Sequence, residues 1–324
     1  MCTAATLRTN HHYFGRNLDL EYSYTESITI TPRNYPLHFS KEGTMFTHYA
    51  LIGMAYIQED YPLYYDATNE MGLSMAGLNF PRYADYKPFN EKKDNITPYE
   101  FIPWILGQCS SIKEVCKLLE RLNMWEKNFS EDLPLSPLHW IISDRHASIT
   151  VESVKEGLKV YQNPIGILTN SPSFDVHLFN LNNYMGLSST PPINHFSKKL
   201  NLIPYSNGMG AIGMPGDWSS LSRFVKASFL KMNSFCQSSE VESVSQFFHI
   251  LNSVEHVRGC VLMENNLYEI TQYSSCCNTD KGIYYYKTYE NSQITAVDMW
   301  KEDLEKISLI SYPLQNKQKI AWQN

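Results

Sequence analysis

The sequence has no long hydrophobic run and no basic cluster, and these absences exclude several classes of protein. The most apolar stretch, Tyr49 to Ile57, is far shorter than the ~20 residues that a transmembrane helix needs. No basic region followed by an apolar one stands at the N-terminus, so we expect no signal peptide. Lysines and arginines are scattered along a chain of net charge −6, whereas nucleic-acid-binding proteins usually present a basic patch. We therefore expect a cytoplasmic protein with no membrane span and no nucleic-acid partner.

Cysteine and histidine patterns typical of metal sites are also missing. The seven cysteines include no C-x-x-C pair, and an odd, scattered set suits free thiols better than a disulfide framework. The ten histidines show no H-E-x-x-H spacing. His11 and His12 would point to opposite faces of a strand. His139 lies in an apolar strand, where a structural role is favoured, and we predict no metal site.

One glycine pattern resembles a dinucleotide-binding fingerprint but lacks its context. Gly208, Gly210 and Gly213 match G-x-G-x-x-G, which must follow a strand and open a helix. Here a loop rich in Pro and Asn precedes the glycines, and Pro215-Gly216 follow them. We interpret the segment from Pro191 to Gly216 as a long loop and predict no cofactor.

The 324 residues do contain enough apolar and aromatic sequence for a large core, with 43% hydrophobic residues and 22 tyrosines. Aromatic and β-branched residues favour half-buried strands. Runs of predicted strands alternate with two helical blocks, the first between residues 97 and 122 and the second between residues 219 and 256. Two sheets with helices packed outside them account for this order, and a parallel βαβ array does not.

The first helical block carries two capping patterns. Thr97 is predicted to cap a helix, with Glu100 at the capping-box position, and Pro103 to kink that helix or end its first turn. Ser111 and Glu114 form a second capping box before an apolar helical face that extends to Leu122. The predicted final strands are a hairpin around residues 290–292 and a strand near residues 309–312.

Cys2 directly follows the initiator methionine, in the segment MCTAATLRTN. A thiol needs a base to become a nucleophile, and an α-amino group is a much weaker base than lysine, so it is partly neutral near pH 7. Removal of Met1 would place that amine on the same residue as the thiol. From position alone an accidental cysteine is the favoured interpretation, since many chains carry a small residue there.

Arg16 and Asp19, in FGRNLDLEY, are predicted to lie on the strand after the N-terminal one. Arg16 would favour the thiolate form of Cys2, and Asp19 would accept hydrogen bonds from the terminal amine. A surface ion pair worth about 0–1 kcal/mol is the simpler interpretation of these two residues alone.

Five motifs together resemble the choloylglycine hydrolase family. They are MCTA, FGRNLDLEYS, AGLNFP, LTNSP and PGDWSSLSRF, and the similarity continues in order to KGIYYYKTYENSQI. The family comprises N-terminal nucleophile amidases, including bile salt hydrolases and penicillin V acylases. The resemblance implies a four-layer αββα sandwich in a single domain of residues 2–324 after loss of Met1, often assembled as a homotetramer. It also implies hydrolysis of a linear amide by an N-terminal cysteine.

The resemblance also implies a role for individual residues. Cys2 corresponds to the nucleophile, and Arg16 and Asp19 to the pair beside its thiol and amine. Asn79 and Asn170 correspond to residues that stabilise the oxyanion, and the family's second arginine corresponds to Arg223. Fixed neutral donors at an oxyanion lower the barrier to amide attack by a few kcal/mol each, although a single asparagine in this setting is also typical of an ordinary turn.

Asn79 also indicates a substrate, because the resemblance associates Asn with bile salt hydrolases and Tyr with penicillin V acylases. A conjugated bile salt requires an apolar, aromatic-lined cleft. The candidate lining residues flank the motifs or lie in adjacent loops: Tyr22, Tyr24, Tyr61, Tyr65, Phe80, Phe129 and Leu133. Two alternatives stay open, namely an amidase acting on penicillin V or acyl-homoserine lactones, and a catalytically silent steroid-binding protein.

Overall fold

The computed structural model describes residues 1–237, 239–264 and 266–324. The helices α1 to α5 span Phe101–Gln108, Ile112–Leu119, Phe174–Asn180, Ser220–Asn233 and Glu240–Asn252. The strands β1 to β9 span Cys2–Arg8, His12–Leu20, Ser27–Thr31, Leu37–Phe39, Gly43–Met45, Leu51–Gln58, Tyr61–Asn69, Ser74–Asn79 and Asp94–Ile96. The strands β10 to β18 span Leu122–Met124, Leu138–Ser143, Ser148–Val154, Gly157–Gln162, Ile167–Leu168, Ile270–Asn278, Ile283–Thr288, Asn291–Asp298 and Ile310–Pro313.

Two large antiparallel sheets dominate the described chain. The first has six strands in the order β14-β1-β2-β15-β16-β17, and the second has eight in the order β13-β12-β11-β8-β7-β6-β3-β18. Helices α4 and α5 contact the first sheet, whereas α1 contacts the second. The layers are therefore helices, sheet, sheet and helices, and the predicted αββα sandwich is confirmed.

Two buried clusters separate these layers. One joins side chains of both sheets, such as Ala4 and Ile52, to Phe224 and Phe247 of α4 and α5. The other packs α1 and α2 against the outer face of the second sheet, with Trp140 buried at its centre. Each sheet buries both faces, which explains why many strands are apolar almost continuously instead of alternating strictly.

Helix α1 begins at Phe101, three residues later than a helix capped by Thr97 would begin. The Glu100 carboxylate does accept a hydrogen bond from the Thr97 amide at 3.0 Å, as a capping box requires. It also accepts one from the Ser40 amide at 2.5 Å, and this tertiary contact holds residues 97–100 in a turn before the helix. Pro103 then lies in the first turn, where its missing N–H breaks no helical bond, so it neither ends nor interrupts α1.

Other predictions differ from the structure only in extent. Helix α2 begins after Ser111, whose hydroxyl accepts from the Glu114 amide, but Leu122 belongs to β10. The strand before Asn170 has only two residues, Ile167–Leu168. The predicted loop from residue 191 to residue 216 contains one short 3-10 helix, Met209–Ala211. The helices α4 and α5 and the C-terminal strands are confirmed.

The first sheet holds the N-terminal strand between β14 and β2. Strand β1 pairs with β2 in the register Cys2 to Leu18 and Ala4 to Arg16. Strand β15, which the sequence patterns did not predict, lies on the other side of β2 and approaches it so closely that a Cβ atom on Gly15 would lie 2.0 Å from the Ser275 carbonyl oxygen. Among the described helices, none combines the length and apolar character needed to cross a bilayer.

Candidate active site

Cys2 begins β1, and its thiol faces a buried arginine. Strand β2 brings Arg16 beside it, with Nη2 2.6 Å from Cys2 Sγ. Arg16 Nη1 donates to the carbonyl oxygens of Tyr65 at 3.0 Å and Gly77 at 2.5 Å, which fix the guanidinium plane. Burial alone would lower the pKa of Arg16, but the facing Cys2 and buried acidic groups raise it above its ordinary value. Arg16 therefore stays cationic, and a cation at this distance favours the thiolate.

The nitrogen and carbonyl of Cys2 face Asn170 and Arg223. The Cys2 amide donates to Asn170 Oδ1 at 2.9 Å, and Arg223 Nη2 donates to the same oxygen at 2.6 Å. Arg223 Nη1 donates to the Cys2 carbonyl at 2.5 Å and to Thr3 Oγ1 at 2.7 Å. Burial lowers the pKa of Arg223, and Asp19 and Cys2 partly counter this. Cys2 therefore contacts three residues that the sequence motifs identified, namely Arg16, Asn170 and Arg223.

Met1 is present and extends the pairing of β1 with β2. Its ammonium donates to the Asp19 carbonyl at 2.7 Å, and the Asp19 amide donates back to the Met1 carbonyl at 3.0 Å. The ammonium also binds Glu269 Oε1 at 2.6 Å. Cys2 is only 3% exposed, so it is buried in this form of the chain.

Asp19 belongs to a buried charge cluster that the sequence patterns did not reveal. Its Oδ1 accepts from Thr271 Oγ1 at 2.6 Å, and its Oδ2 lies 3.7 Å from His256 Nε2. His256 Nδ1 lies 3.3 Å from Glu269 Oε1. Burial alone would raise the pKa of Glu269, but His256 and the terminal ammonium hold it below its ordinary value. No spacing motif marks His256 or Glu269, since both are distant from Asp19 in sequence.

Asp19, His256 and Glu269 are residue types that bind metal ions. In the described part of the chain their ligand atoms lie within 4.8 Å of one another. The imidazole of His256, however, lies between the two carboxylates and turns one nitrogen toward each. The Met1 ammonium already supplies a cation to Glu269. These contacts form a polar network around the N-terminus.

Asn79 ends β8 beside Asn170. Asn170 Nδ2 donates to the Asn79 carbonyl at 2.7 Å, so the two asparagines are linked directly. The side-chain amide of Asn79 forms no hydrogen bond with the residues described in the structure, and the residue is half-buried. Asn79 therefore offers a neutral donor next to the contacts of Cys2.

One predicted lining residue contacts Arg16, and two others form an aromatic pair. Tyr65 contributes its carbonyl to Arg16. The rings of Tyr22 and Tyr24 are 5.0 Å apart and tilted by 58°, with their hydroxyl groups 2.9 Å apart, and the Tyr56 ring lies 5.9 Å from that of Tyr24. Tyr22 is 46% exposed, so this aromatic group reaches the surface.

The other predicted lining residues lie in different surroundings. Tyr61 and Phe129 pack 6.1 Å apart in a cluster with Tyr99. Leu133 is half-buried in the loop that follows Phe129. Phe80 is fully buried, and its ring stacks on His139 at 4.2 Å with an interplanar angle of 8°. In this conformation Phe80 contacts protein instead of an open cleft.

Comparison with known proteins supports the resemblance seen in the motifs. A family model described as linear amide C–N hydrolases, choloylglycine hydrolase family, matches residues 2–312. The bile salt hydrolase/transferase of Lactiplantibacillus plantarum is 57% identical over 317 residues, covering 98% of each protein. The bile salt hydrolase/transferase of Clostridium perfringens is 43% identical, covering 96% of each.

Solved structures agree with the fold. The C2A mutant of the conjugated bile acid hydrolase from C. perfringens superimposes with a TM-score of 0.93 at 42% identity, covering 100% of both chains. Penicillin V acylase from Agrobacterium tumefaciens gives a TM-score of 0.74 at 19% identity, covering 96% of this chain and 90% of the other. At that identity the second match shows the fold alone.

Proposed function

The chain belongs to the choloylglycine hydrolase family of linear amide C–N hydrolases, and we propose that its substrates are bile acids conjugated to glycine or taurine. The observation that carries the proposal is the surroundings of Cys2, whose thiol faces Arg16 at 2.6 Å and whose nitrogen faces Asn170 at 2.9 Å. Cys2 thus carries both the nucleophilic sulfur and the nitrogen that becomes its base, and a different neighbour orients each of them.

Removal of Met1 is the first step of the proposal. Hydrolysis of the bond between Met1 and Cys2 converts the Cys2 nitrogen from an amide, which cannot act as a base, into an amine. The Asn170 oxygen already accepts from this nitrogen, and Asp19 lies opposite the position that Met1 vacates. The charges that now surround the Met1 ammonium would then act on the Cys2 amine.

The reaction proceeds through a thioester. The neutral amine takes the thiol proton, and the sulfur attacks the amide carbonyl while Arg16 stabilises the thiolate. The Asn79 side-chain amide and the second Nδ2 hydrogen of Asn170, whose first is bonded to the Asn79 carbonyl, supply donors to the oxyanion. The protonated amine gives its proton to the departing nitrogen as the C–N bond breaks. Water, deprotonated by the same amine, then attacks the thioester and releases the bile acid from Cys2.

A second candidate function is acyl transfer, favoured by the name hydrolase/transferase that two of the relatives carry. An amine that reaches the thioester before water would form a new amide, with the same transfer of one proton to the Cys2 amine. The chemistry requires no group beyond those of hydrolysis.

A release assay tests the substrate. Purified protein is incubated with glycocholate, taurocholate and penicillin V, and freed glycine or taurine is measured with ninhydrin, whereas penicillin V cleavage is measured from the 6-aminopenicillanic acid released. We expect turnover of the bile salts to exceed that of penicillin V and to vanish in Cys2→Ala. Faster cleavage of penicillin V would contradict the substrate assignment, and binding of taurocholate without release of taurine would favour a silent steroid-binding protein. Addition of a free amino acid to the bile salt reaction, with detection of a new conjugate, tests transfer.

We also propose that residues 2–324 form one domain, which acts in the cytoplasm as a homotetramer. Each of the seven cysteines carries a free thiol, which suits a reducing compartment. The loop from residue 191 to residue 216 exposes large apolar side chains, including Ile193, Phe196, Ile203 and Tyr205, each more than 70% exposed. Such a concentration is typical of a surface that another chain covers. Light scattering coupled to gel filtration tests the assembly, and a monomeric mass would contradict it.

A further inference from the structure

A buried histidine–carboxylate pair lies behind the two asparagines, and the mechanism above does not use it. His139 of β11 and Glu152 of β12 are both completely buried, with Nδ1 3.1 Å from Glu152 Oε1. The other ring nitrogen, Nε2, is 3.0 Å from the Thr169 carbonyl oxygen, which only accepts. Nε2 must therefore carry a proton. A hydrogen bond between Nδ1 and Oε1 then requires one more proton, which the imidazole and the carboxylate share. The pair is then neutral overall, as burial demands.

The histidine contacts the neighbour of each asparagine. Thr169, which accepts from Nε2, directly precedes Asn170. Phe80, which stacks on the imidazole, directly follows Asn79. One ring is therefore packed between the two chain segments that carry the oxyanion donors.

The glutamate contributes a second anchor on the other side of Asn170. Glu152 Oε1 accepts from the Phe174 amide at 3.0 Å, so the same oxygen serves both Phe174 and His139. His177 Nε2 adds a hydrogen bond to the Asn170 carbonyl at 2.8 Å. The segment 169–174 is thus tied to the second sheet both before and after Asn170.

The two asparagines are also coupled to each other and to the nucleophile. Asn170 Nδ2 reaches the Asn79 carbonyl, and Asn170 Oδ1 reaches the Cys2 nitrogen. A displacement of Thr169 would therefore move Asn170 relative to Cys2. It would also change the position of Asn79 relative to Asn170 and Cys2. Rates of positioned reactions fall by about 100-fold for errors of about 1 Å, so a small shift here is chemically large.

We propose that His139 and Glu152 are positioning residues that hold Asn79 and Asn170 where they stabilise the oxyanion. The inference rests on the proposed function, because it presumes that these two asparagines serve the transition state. A buried pair of this kind gives little net stability compared with apolar side chains of similar volume, so stability alone does not account for it.

Two variants disturb the pair in different ways. His139→Ala removes both the donor to Thr169 and the ring that stacks on Phe80. Glu152→Gln keeps the size of the side chain but cannot share a proton with the imidazole. A glutamine oxygen in the place of Oε1 accepts from the Phe174 amide but supplies no proton to Nδ1, whereas an NH2 group in that place can donate to Nδ1 but leaves the Phe174 amide without an acceptor. The isosteric variant keeps the proposal testable if His139→Ala does not fold.

The test compares two rates at the same thiol. Single-turnover acylation by taurocholate forms an oxyanion, whereas alkylation of Cys2 by iodoacetamide forms none. Asn79→Ala serves as the benchmark and should lower acylation by about 100- to 1000-fold. We expect both pair variants to lower acylation and kcat by about 10-fold or more, with KM and the alkylation rate within about 2-fold of the parent. In the Asn79→Ala background the loss from His139→Ala should be much smaller than in the parent, because the two changes disturb one function.

A matched control removes a buried imidazole elsewhere. His48 is 6% exposed and contacts the carbonyl oxygens of Tyr35 and Tyr49 at 2.8 and 2.7 Å, outside the site. His48→Ala should lower the unfolding temperature and leave acylation unchanged. Equal loss of acylation and alkylation in the pair variants, or no loss of acylation, overturns the inference. An Asn79→Ala variant with normal acylation would instead refute the oxyanion assignment of the proposed function.

Discussion

Replacement of Arg16 by glutamine probes the contact that most directly activates the thiol. In the parent, the fully buried guanidinium donates to Cys2 Sγ at 2.6 Å and to three backbone carbonyls, those of Asn17, Tyr65 and Gly77. Glutamine removes the positive charge and is too short to replace all four bonds. Among the described hydrogen bonds, the one from Arg16 is the only contact between the Cys2 sulfur and a side-chain cation, and the variant loses it.

The expected magnitude follows from the strength of that contact. A hydrogen bond to a charged group contributes about 1.5–3 kcal/mol. Since about 1.4 kcal/mol corresponds to a factor of ten in rate, alkylation of Cys2 at neutral pH should slow by about 10- to 100-fold. The carbonyls of Tyr65 and Gly77 also lose donors, at about 1–3 kcal/mol for each group left unsatisfied, so the variant should unfold at lower temperature.

Iodoacetamide labelling followed by peptide mass spectrometry measures the rate at Cys2 separately from the exposed Cys260. Arg16→Lys is the control, because it retains a cation but not the fork that reaches Tyr65 and Gly77. We expect Lys to restore part of the alkylation rate and little of the stability. A folded Arg16→Gln protein that alkylates at the parent rate would refute the reasoning.

Two further predictions concern single side chains. Cys2→Ala should abolish turnover while its circular dichroism spectrum and unfolding temperature stay close to the parent's, because the thiol fills little volume; residual turnover would exclude Cys2 as the nucleophile. Burial lowers the pKa of Lys231 to about 8, so the folded protein releases this proton at lower pH than the unfolded chain, and this lysine should raise stability as pH increases from about 8 to 10. Urea unfolding at both pH values should show a gain that is smaller in Lys231→Gln, and an equal gain would contradict the lowered pKa.

Local sequence patterns predicted the architecture because strands and helices alternate in blocks with distinct periodicities. They failed where a distant contact overrides a local preference. The capping box at Thr97 is formed, but the bond from the Ser40 amide to Glu100 keeps the segment before Phe101 out of the helix. Strand β15 was not predicted, although it is central to the first sheet, since its polar and sulfur-containing side chains resemble neither an alternating strand nor a helix.

Sequence motifs identified some residues of the candidate site, and only the fold reveals the others. Motifs shared with the family named Cys2, Arg16, Asn170 and Arg223, and the structure brings these four into direct contact. Glu269 and His256 carry no motif, and only the three-dimensional fold places them beside Asp19 and the chain terminus. The pairing of His139 with Glu152 could have been suspected only once β11 and β12 were known to be adjacent, because opposite residues of neighbouring strands meet on one face.

The role of the chain terminus is most directly tested by relating activity to the first residue. Protein made while methionine aminopeptidase is inhibited retains Met1, and treatment with purified aminopeptidase then removes it over time. Intact mass spectrometry gives the fraction that begins at Cys2, and taurine release from taurocholate gives the activity of the same samples. Activity should rise in proportion to the Met1-free fraction from almost zero. Full activity in protein that still carries Met1 would contradict a mechanism in which the Cys2 amine is the base.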